Sequence, residues 1–321
     1  MARTDSLGHF LTDVATAIRN KKGTTNTIVA SDFDTEIASI ESGGGDVSEY
    51  FSDTIPSGSS SSAGITKAII KIPDNIKISG TSANYMFQYC SNMLSVPQLD
   101  MSNVTSANYM FYYCSSLVSV PLLDTSNVTS MNYMFGFCRS LTTIPLLNTS
   151  SVKDMGNMFN ACIKLTTIPL LDTSNATSMN YMFFNCASLE EIPPLNTNKN
   201  TSMNYMFSSC SKLTTIPLLD TSNVVNIYNT FNHCYALKNV GGFKNLGQAY
   251  LTTQNANYNN YTLTLSSNPL THDSLMNVIN NLYDIATKGC NTQKLVLGST
   301  NIAKLTEEEI AIATNKGWTI S

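Results

Sequence analysis

Charge is scarce in this sequence. Lys, Arg, Asp and Glu together make up 12% of the 321 residues, against roughly a quarter in ordinary globular chains. Ser, Thr, Asn and Tyr take the place of the missing charge. There is no extended cluster of Lys or Arg and the formal net charge is −4, so the electrostatic footprint that nucleic acid or an anionic membrane calls for is missing. Long apolar runs are missing as well. Nothing approaches the ~18 uncharged apolar residues of a membrane span, and the opening stretch MARTDSLGHFLTDVATAIRNKKG has neither the continuous apolar segment nor the cleavage-like site of a secretory signal. The chain is therefore expected to be made in soluble form in the cytoplasm. It would then reach any exterior by another route, such as assembly into a particle released by lysis.

The residues and loops of catalysis are equally sparse. The three histidines, His9, His233 and His272, fall in three separate regions. There is no Gly-rich phosphate loop, no G-x-S-x-G and no C-x-x-C. His233 and Cys234 are neighbours in the chain, but adjacent side chains point in different directions and a motif without geometry carries little. No enzymatic activity, metal or cofactor is expected.

What the sequence does have is a period. Cys90, Cys114, Cys138, Cys162, Cys186, Cys210 and Cys234 recur every 24 residues without an insertion. Four positions before each Cys stands Met, or Thr in the last copy, and three before always Phe, from Phe87 to Phe231. Three after comes Leu or Met, and six and seven after comes Ile-Pro or Val-Pro in six copies. Met131, Met134, Phe135 and Cys138 stand at i, i+3, i+4 and i+7, the spacing of one helical face, with Thr129 or Ser130 as cap. Leu141, Ile144 and Leu146 then follow as a short strand sending alternate side chains into the same core. Each unit reads as a helical turn, a strand and a return loop. No such unit buries its own face, so neighbours must stack, with strands ~4.8 Å apart in a parallel sheet. The Pro of each Ile-Pro lacks a donor that a central strand would use, so it belongs at a strand end or where its N–H has no role. The repeat cysteines read as reduced, buried, small hydrophobes, while Cys290 stands outside the register.

The motif M-F-x-x-C-x-x-L-x-x-I with D-T-S-N-V-T-S-M resembles the BspA-like leucine-rich repeats of bacterial surface proteins, over about residues 81–243. The resemblance implies an α/β repeat solenoid of leucine-rich-repeat-like coils that works as a binding surface.

Four regions follow. Residues 1–41 carry an amphipathic helix through Leu7, Phe10, Leu11, Val14 and Ile18, and a second short one through Phe33, Ile37 and Ile40. The pair is too small to hold a core of its own and needs copies of itself or another protein. This segment is similar to the N-terminal elements of bacteriophage tail, baseplate and fibre-type proteins, which implies an attachment or oligomerisation module, three copies being the analogy with fibres. Residues 42–80 form a Ser-Gly-Gly-Gly linker and an N-terminal cap, residues 81–243 the solenoid. Residues 244–321 form an α/β C-terminal cap, with strands at 261–265 and 294–298, a helix over 272–287, and a last helix opened by a Thr306/Glu309 capping box. The tail LTEEEIAIATNKGWTIS likewise resembles the ends of phage-associated repeat proteins.

Three surface features are candidates for function. Asp100, Asp124, Asp172 and Asp220, with Asn148 and Asn196 in register, could stack as an oxygen column for Ca²⁺ or cap their own D-T-S-N turns. The turn is preferred, because two members are Asn and the glycines of calcium-binding coils are missing. The Asn-Tyr pairs, such as Asn108-Tyr109, could line a sugar-binding surface or pack between coils. The pair before each Cys varies from copy to copy and points outward on a helical register. Its members Tyr89, Tyr112, Tyr113, Phe137, Phe184 and His233, with Arg139 and Tyr235 beside them, are the candidate recognition face. Drift of solvent-facing residues is the plain alternative. The expected function is a phage or prophage virion component presenting the repeat to a host-surface receptor, protein or glycan. The alternatives are a bacterial cell-surface adhesin and a virion decoration or spacer that binds no receptor.

Overall fold

The computed structural model describes residues 76–78, 80–96, 98–249, 261–288 and 292–321. The expected N-terminal helices with Leu7, Phe10, Leu11, Val14 and Ile18, the linker, most of the N-terminal cap, His9 and Cys290 lie outside the described residues. Within them, positions 24 apart stand side by side. Single parallel bridges join Ser82 to Ser106, Ser106 to Ser130, Ser130 to Asp154, Asp154 to Ser178, Ser178 to Ser202 and Ser202 to Asn226. The chain is a stacked α/β solenoid of the leucine-rich-repeat-like class.

The seven phenylalanines three before each Cys are fully buried and stack as one column, consecutive ring centroids 5.4 to 5.7 Å apart and planes within 11°. The cysteines form a second column. From Cys114 on, each thiol donates to the carbonyl of the Phe 27 residues earlier, at 3.0 to 3.1 Å. Burial pushes these thiols well above their usual range, so they are donors and packing atoms, not nucleophiles.

The segment expected as a helical turn is not one. In each coil two non-glycine residues have positive φ, as at Tyr133 (53°) and Phe137 (62°), and a helix cannot pass through them. The chain instead makes overlapping turns: Met134 N–H donates to Met131 O, Gly136 to Tyr133 O and Cys138 to Phe135 O. The intervening amides cross to the next coil. Met131 N–H reaches Asp154 O, Tyr133 reaches Gly156 O, Phe135 reaches Met158 O and Phe137 reaches Asn160 O, at 2.6 to 3.0 Å. Turn and helix share the i, i+3, i+4, i+7 inward set, so Met131, Met134, Phe135 and Cys138 are buried as expected.

The strands are equally short. β1 (Ile76–Lys77) pairs in parallel with β2 (Leu99–Asp100), and in the last two coils β3 (Thr215–Ile216) pairs with β5 (Asn239–Val240) and β4 (Leu219–Asp220) with β6 (Phe243–Lys244). Pro217 falls between β3 and β4, at the strand end its missing donor requires. The bend at Pro resets the alternation. Leu147, 2% exposed, points inward and Leu146, 61% exposed, points out, which corrects the expectation that Leu146 is a core residue.

After residue 243 the architecture changes. β7 (Thr262–Thr264), β8 (Gln293–Val296) and β9 (Trp318–Ile320) form a parallel sheet in the order β7-β8-β9. Three helices accompany it. α1 (His272–Asn280) is shorter than the 272–287 expected, α2 (Ser299–Ile302) is additional, and α3 (Glu307–Asn315) carries the Thr306/Glu309 capping box. The cap is joined to the last coil where Asn268 Nδ2 donates to the Phe231 and Cys234 carbonyls at 3.1 and 3.0 Å, and Phe243 packs against Phe231. The carbonyls of Phe231 and Cys234 at the C-terminal end of the stack thus meet partners and not solvent.

Phe159 has a Phe on each side in the column. Phe159→Ala is expected to destabilise the protein by about 3–5 kcal/mol, read as a shifted midpoint in urea denaturation; a loss under about 1 kcal/mol would show that the column does not carry the stack.

Candidate recognition surface

The turns set this surface. Within the seven coils the positive-φ residues are the fifth before and the one before each Cys. Among those fourteen positions stand Tyr, Phe, Asn, Ala, Ser and His, and no β-branched residue. That is the steric signature of a left-handed backbone, which Val, Ile and Thr resist most. Holding non-glycine residues there costs on the order of 1 kcal/mol or more each, which the cross-coil hydrogen bonds and ring stacking offset.

Over the first three coils the result is a continuous aromatic cluster. Tyr85, Tyr109 and Tyr133 stack at 5.1 and 4.8 Å. Tyr113 and Phe137 stack at 4.3 Å with planes 6° apart, and Tyr89 tilts onto Tyr113 at 5.5 Å. Tyr112 stands edge-on between these rows, 5.2 Å from Tyr109, 5.3 Å from Tyr133 and 4.7 Å from Tyr113. Gly136 makes room for it: a Cβ there would lie 2.9 Å from Tyr133 Cδ1 and 3.0 Å from Tyr112 Cδ2. The Arg139 guanidinium lies 5.9 Å from the Phe137 ring centre. Burial, then the neighbouring phenols, pushes the Tyr112 pKa up to about 12, so its hydroxyl keeps its proton.

The structure thus brings together Tyr89, Tyr112, Tyr113, Phe137 and Arg139, and adds Tyr85, Tyr109 and Tyr133, whose packing role accounts for the Asn-Tyr pairs. Phe184 belongs to a second cluster with Tyr181 and Tyr205, themselves stacked at 4.8 Å. His233 and Tyr235 are exposed and hydrogen-bonded to each other at the end of the repeat. Not every variable pair is outward. Gly136, Asn160, Ala161 and Ser208 are buried, because short side chains between large ones are shaded by their neighbours.

The aspartate column resolves into turns. Oδ1 of Asp100, Asp124, Asn148, Asp172, Asn196 and Asp220 accepts the backbone N–H two residues on, at 2.9 to 3.2 Å. The hydroxyl and amide of Ser126 hold the Asp124 carboxyl below its usual range. Among the described residues no three His, Cys, Asp or Glu side chains gather as a metal site, and no helix is long and apolar enough to cross a membrane.

One apolar strip was not read from the sequence. Leu94 and Val118, four after Cys, and Leu122, Leu146, Leu170 and Leu218, eight after, are all exposed large hydrophobics. The sign was present in Ile-Pro-Leu-Leu, where Pro shifts the inward position to the second Leu.

The sequence profile of a family described as "Mycoplasma protein of unknown function, DUF285" matches residues 81–183 and 140–243. No curated protein matches the chain. Similar solved structures include a leucine-rich repeat protein from Bacteroides ovatus ATCC 8483, 17% identical with a TM-score of 0.34, covering 72% of this chain and 60% of that one. Another is the T. pallidum leucine-rich repeat protein, 16% identical with a TM-score of 0.32, covering 86% of this chain and 97% of that one. The chain therefore spans 60% of the length of the Bacteroides ovatus protein it resembles.

Two outcomes test the cluster. Gly136→Ala should push Tyr112 off its edge-on seat and reduce the near-ultraviolet circular dichroism of the tyrosines, while Gly80→Ala, whose added Cβ finds nothing nearer than 4.0 Å, leaves it unchanged. Tyr112 has its pKa raised on folding, so its contribution to stability is complete below its unfolded value of 10.0 and is lost as pH climbs toward about 12. Thermal melts across that window should fall less steeply for Tyr112→Phe than for the parent.

Proposed function

The chain belongs to the DUF285 family, and we propose that it is a binding protein whose solenoid displays the aromatic cluster around Tyr112 to a receptor on a host cell. The observation that carries this reading is the contiguity of Tyr85, Tyr89, Tyr109, Tyr112, Tyr113, Tyr133 and Phe137 on one surface. Partly exposed rings with polar tips are the groups in which interface energy concentrates, and their mutual packing fixes them before a ligand arrives. A surface poor in charge recognises by shape, stacking and neutral hydrogen bonds.

The terminal resemblances support a place on a phage or prophage virion, in a tail, baseplate or fibre. Residues 1–41 would join it to other virion proteins or to copies of itself through Leu7, Phe10, Leu11, Val14 and Ile18, a trimer by analogy with fibres. A second reading, a virion decoration or spacer without a receptor, is favoured by the exposed strip of Leu122, Leu146, Leu170 and Leu218, which suits contact with another protein.

Labelled full-length protein is expected to bind intact host bacteria saturably in flow cytometry. A variant with Tyr89, Tyr112, Tyr113, Phe137 and Phe184 changed to Ser should bind about tenfold or more weakly. Equal binding by the variant, or none by the parent to any candidate host, would move the reading to the spacer.

A further inference from the structure

The tyrosine ladder has a gap. Tyr85, Tyr109 and Tyr133 stack on one side of it and Tyr181 and Tyr205 on the other, each pair about one coil apart at 4.8 to 5.1 Å. Between them the register position is Asn157, and the coils themselves run through without interruption, since Phe135, Phe159 and Phe183 remain stacked with planes within 7°. Tyr133 and Tyr181 therefore face each other across two strand spacings, about 10 Å, with no ring between them. Burial, then Tyr109, then Tyr181 from across the gap raise the Tyr133 pKa.

The gap has a polar base. Position 156 is Gly, where most copies carry Asn. Asn157 is drawn down, its Oδ1 accepting from Asn160 Nδ2 at 2.9 Å. Asn160 is only 7% exposed and its Oδ1 has no hydrogen-bond partner. Ala161 stands where Tyr113 and Phe137 stand in the coils before it. The Asp154 carboxylate lies beside this base, its Oδ1 accepting from the Gly156 N–H at 2.9 Å and from Asn132 Nδ2 at 3.4 Å.

We propose that this gap is a saccharide site: the ring of a neutral pyranose enters between Tyr133 and Tyr181, its two C–H faces against the two aromatic faces and its hydroxyls toward the Asn157 amide. The spacing suits a saturated ring, which lies about 4.5–5 Å from each aromatic centre, as the protein's own rings do. An inserted aromatic side chain would stack equally well but would leave the amide base without partners, and an acidic sugar would meet the Asp154 carboxylate beside that base. The proposal rests on the aromatic surface being the binding surface and narrows its ligand from receptor to neutral glycan.

Asn157→Tyr tests it. Tyr is the residue at this register in five of the seven coils, so the variant continues the ladder, keeps or raises the melting temperature, and fills the gap. Full-length parent and variant would be titrated against immobilised neutral hexoses and N-acetylhexosamines, with Lys288→Ser, at an exposed position of the C-terminal cap, as a distant control. The expected result is saturable binding of at least one sugar by the parent and the control, weakened at least about tenfold in Asn157→Tyr. No binding by the parent, or equal binding by Asn157→Tyr, overturns the proposal. Host-cell binding measured in parallel separates the two readings. Cells bound by the parent and Asn157→Tyr alike leave the adhesion reading standing and sink the sugar site. Cells lost in Asn157→Tyr with no sugar bound point to a protein ring as the ligand and also overturn it. Sugar bound in the gap without any cell binding sinks adhesion alone.

Discussion

The structure depends on peptide groups that stand parallel to the solenoid axis. In the coil of Cys138, as in most of the others, four amides, here those of Met131, Tyr133, Phe135 and Phe137, donate to the next coil, and the carbonyls just before them accept from the previous one. A backbone that keeps turning within the coil can present four such groups only if some residues adopt left-handed angles, so the two strained residues per coil are the condition for the ladder. A second set of amides runs the other way, Thr129 N–H to Thr105 O and Lys153 N–H to Thr129 O. Adjacent coils are thereby clamped on both sides of the Phe column, and the core has no freedom to slip register.

Much of this is legible in the sequence, and the reason is the core. Phe135 and Cys138 are the same in all seven coils, Met134 and Leu141 change in one copy each, and Met131 and Ile144 vary only among apolar residues, because each must meet its own copy one coil away. The Thr306/Glu309 capping box is legible for a local reason, since both partners lie within one turn. The turn run was not legible, because it buries the same i, i+3, i+4, i+7 set as a helix. What separates them is the residue class at Tyr133 and Phe137, where β-branched side chains are excluded, and that signal is visible only once the copies are aligned. The outward Leu146 was hidden by treating the strand as continuous through Pro145.

The candidate surface was legible as composition and not as geometry. That Tyr112 and Phe137 lie toward the surface could be read from their variability within a fixed frame. Which rings meet could not, since the 5.2 and 5.3 Å edge contacts of Tyr112 depend on Gly136 in the following coil having no side chain. Nor could the burial of Asn160, which follows from the size of its neighbours and not from its own polarity.

The fixed offset of 24 residues has an evolutionary side. Every contact between coils joins a position to its own counterpart, so gaining or losing one whole coil replaces each contact with an equivalent one, while gaining a single residue misaligns every hydrogen-bonded column at once. Reach is therefore a variable that changes in steps of a single strand spacing at little structural cost. Because outward residues travel with their coil, the same exchange that lengthens or shortens the rod also reorders the aromatic and amide steps along it. A surface built this way can be rewritten by shuffling units that already fold.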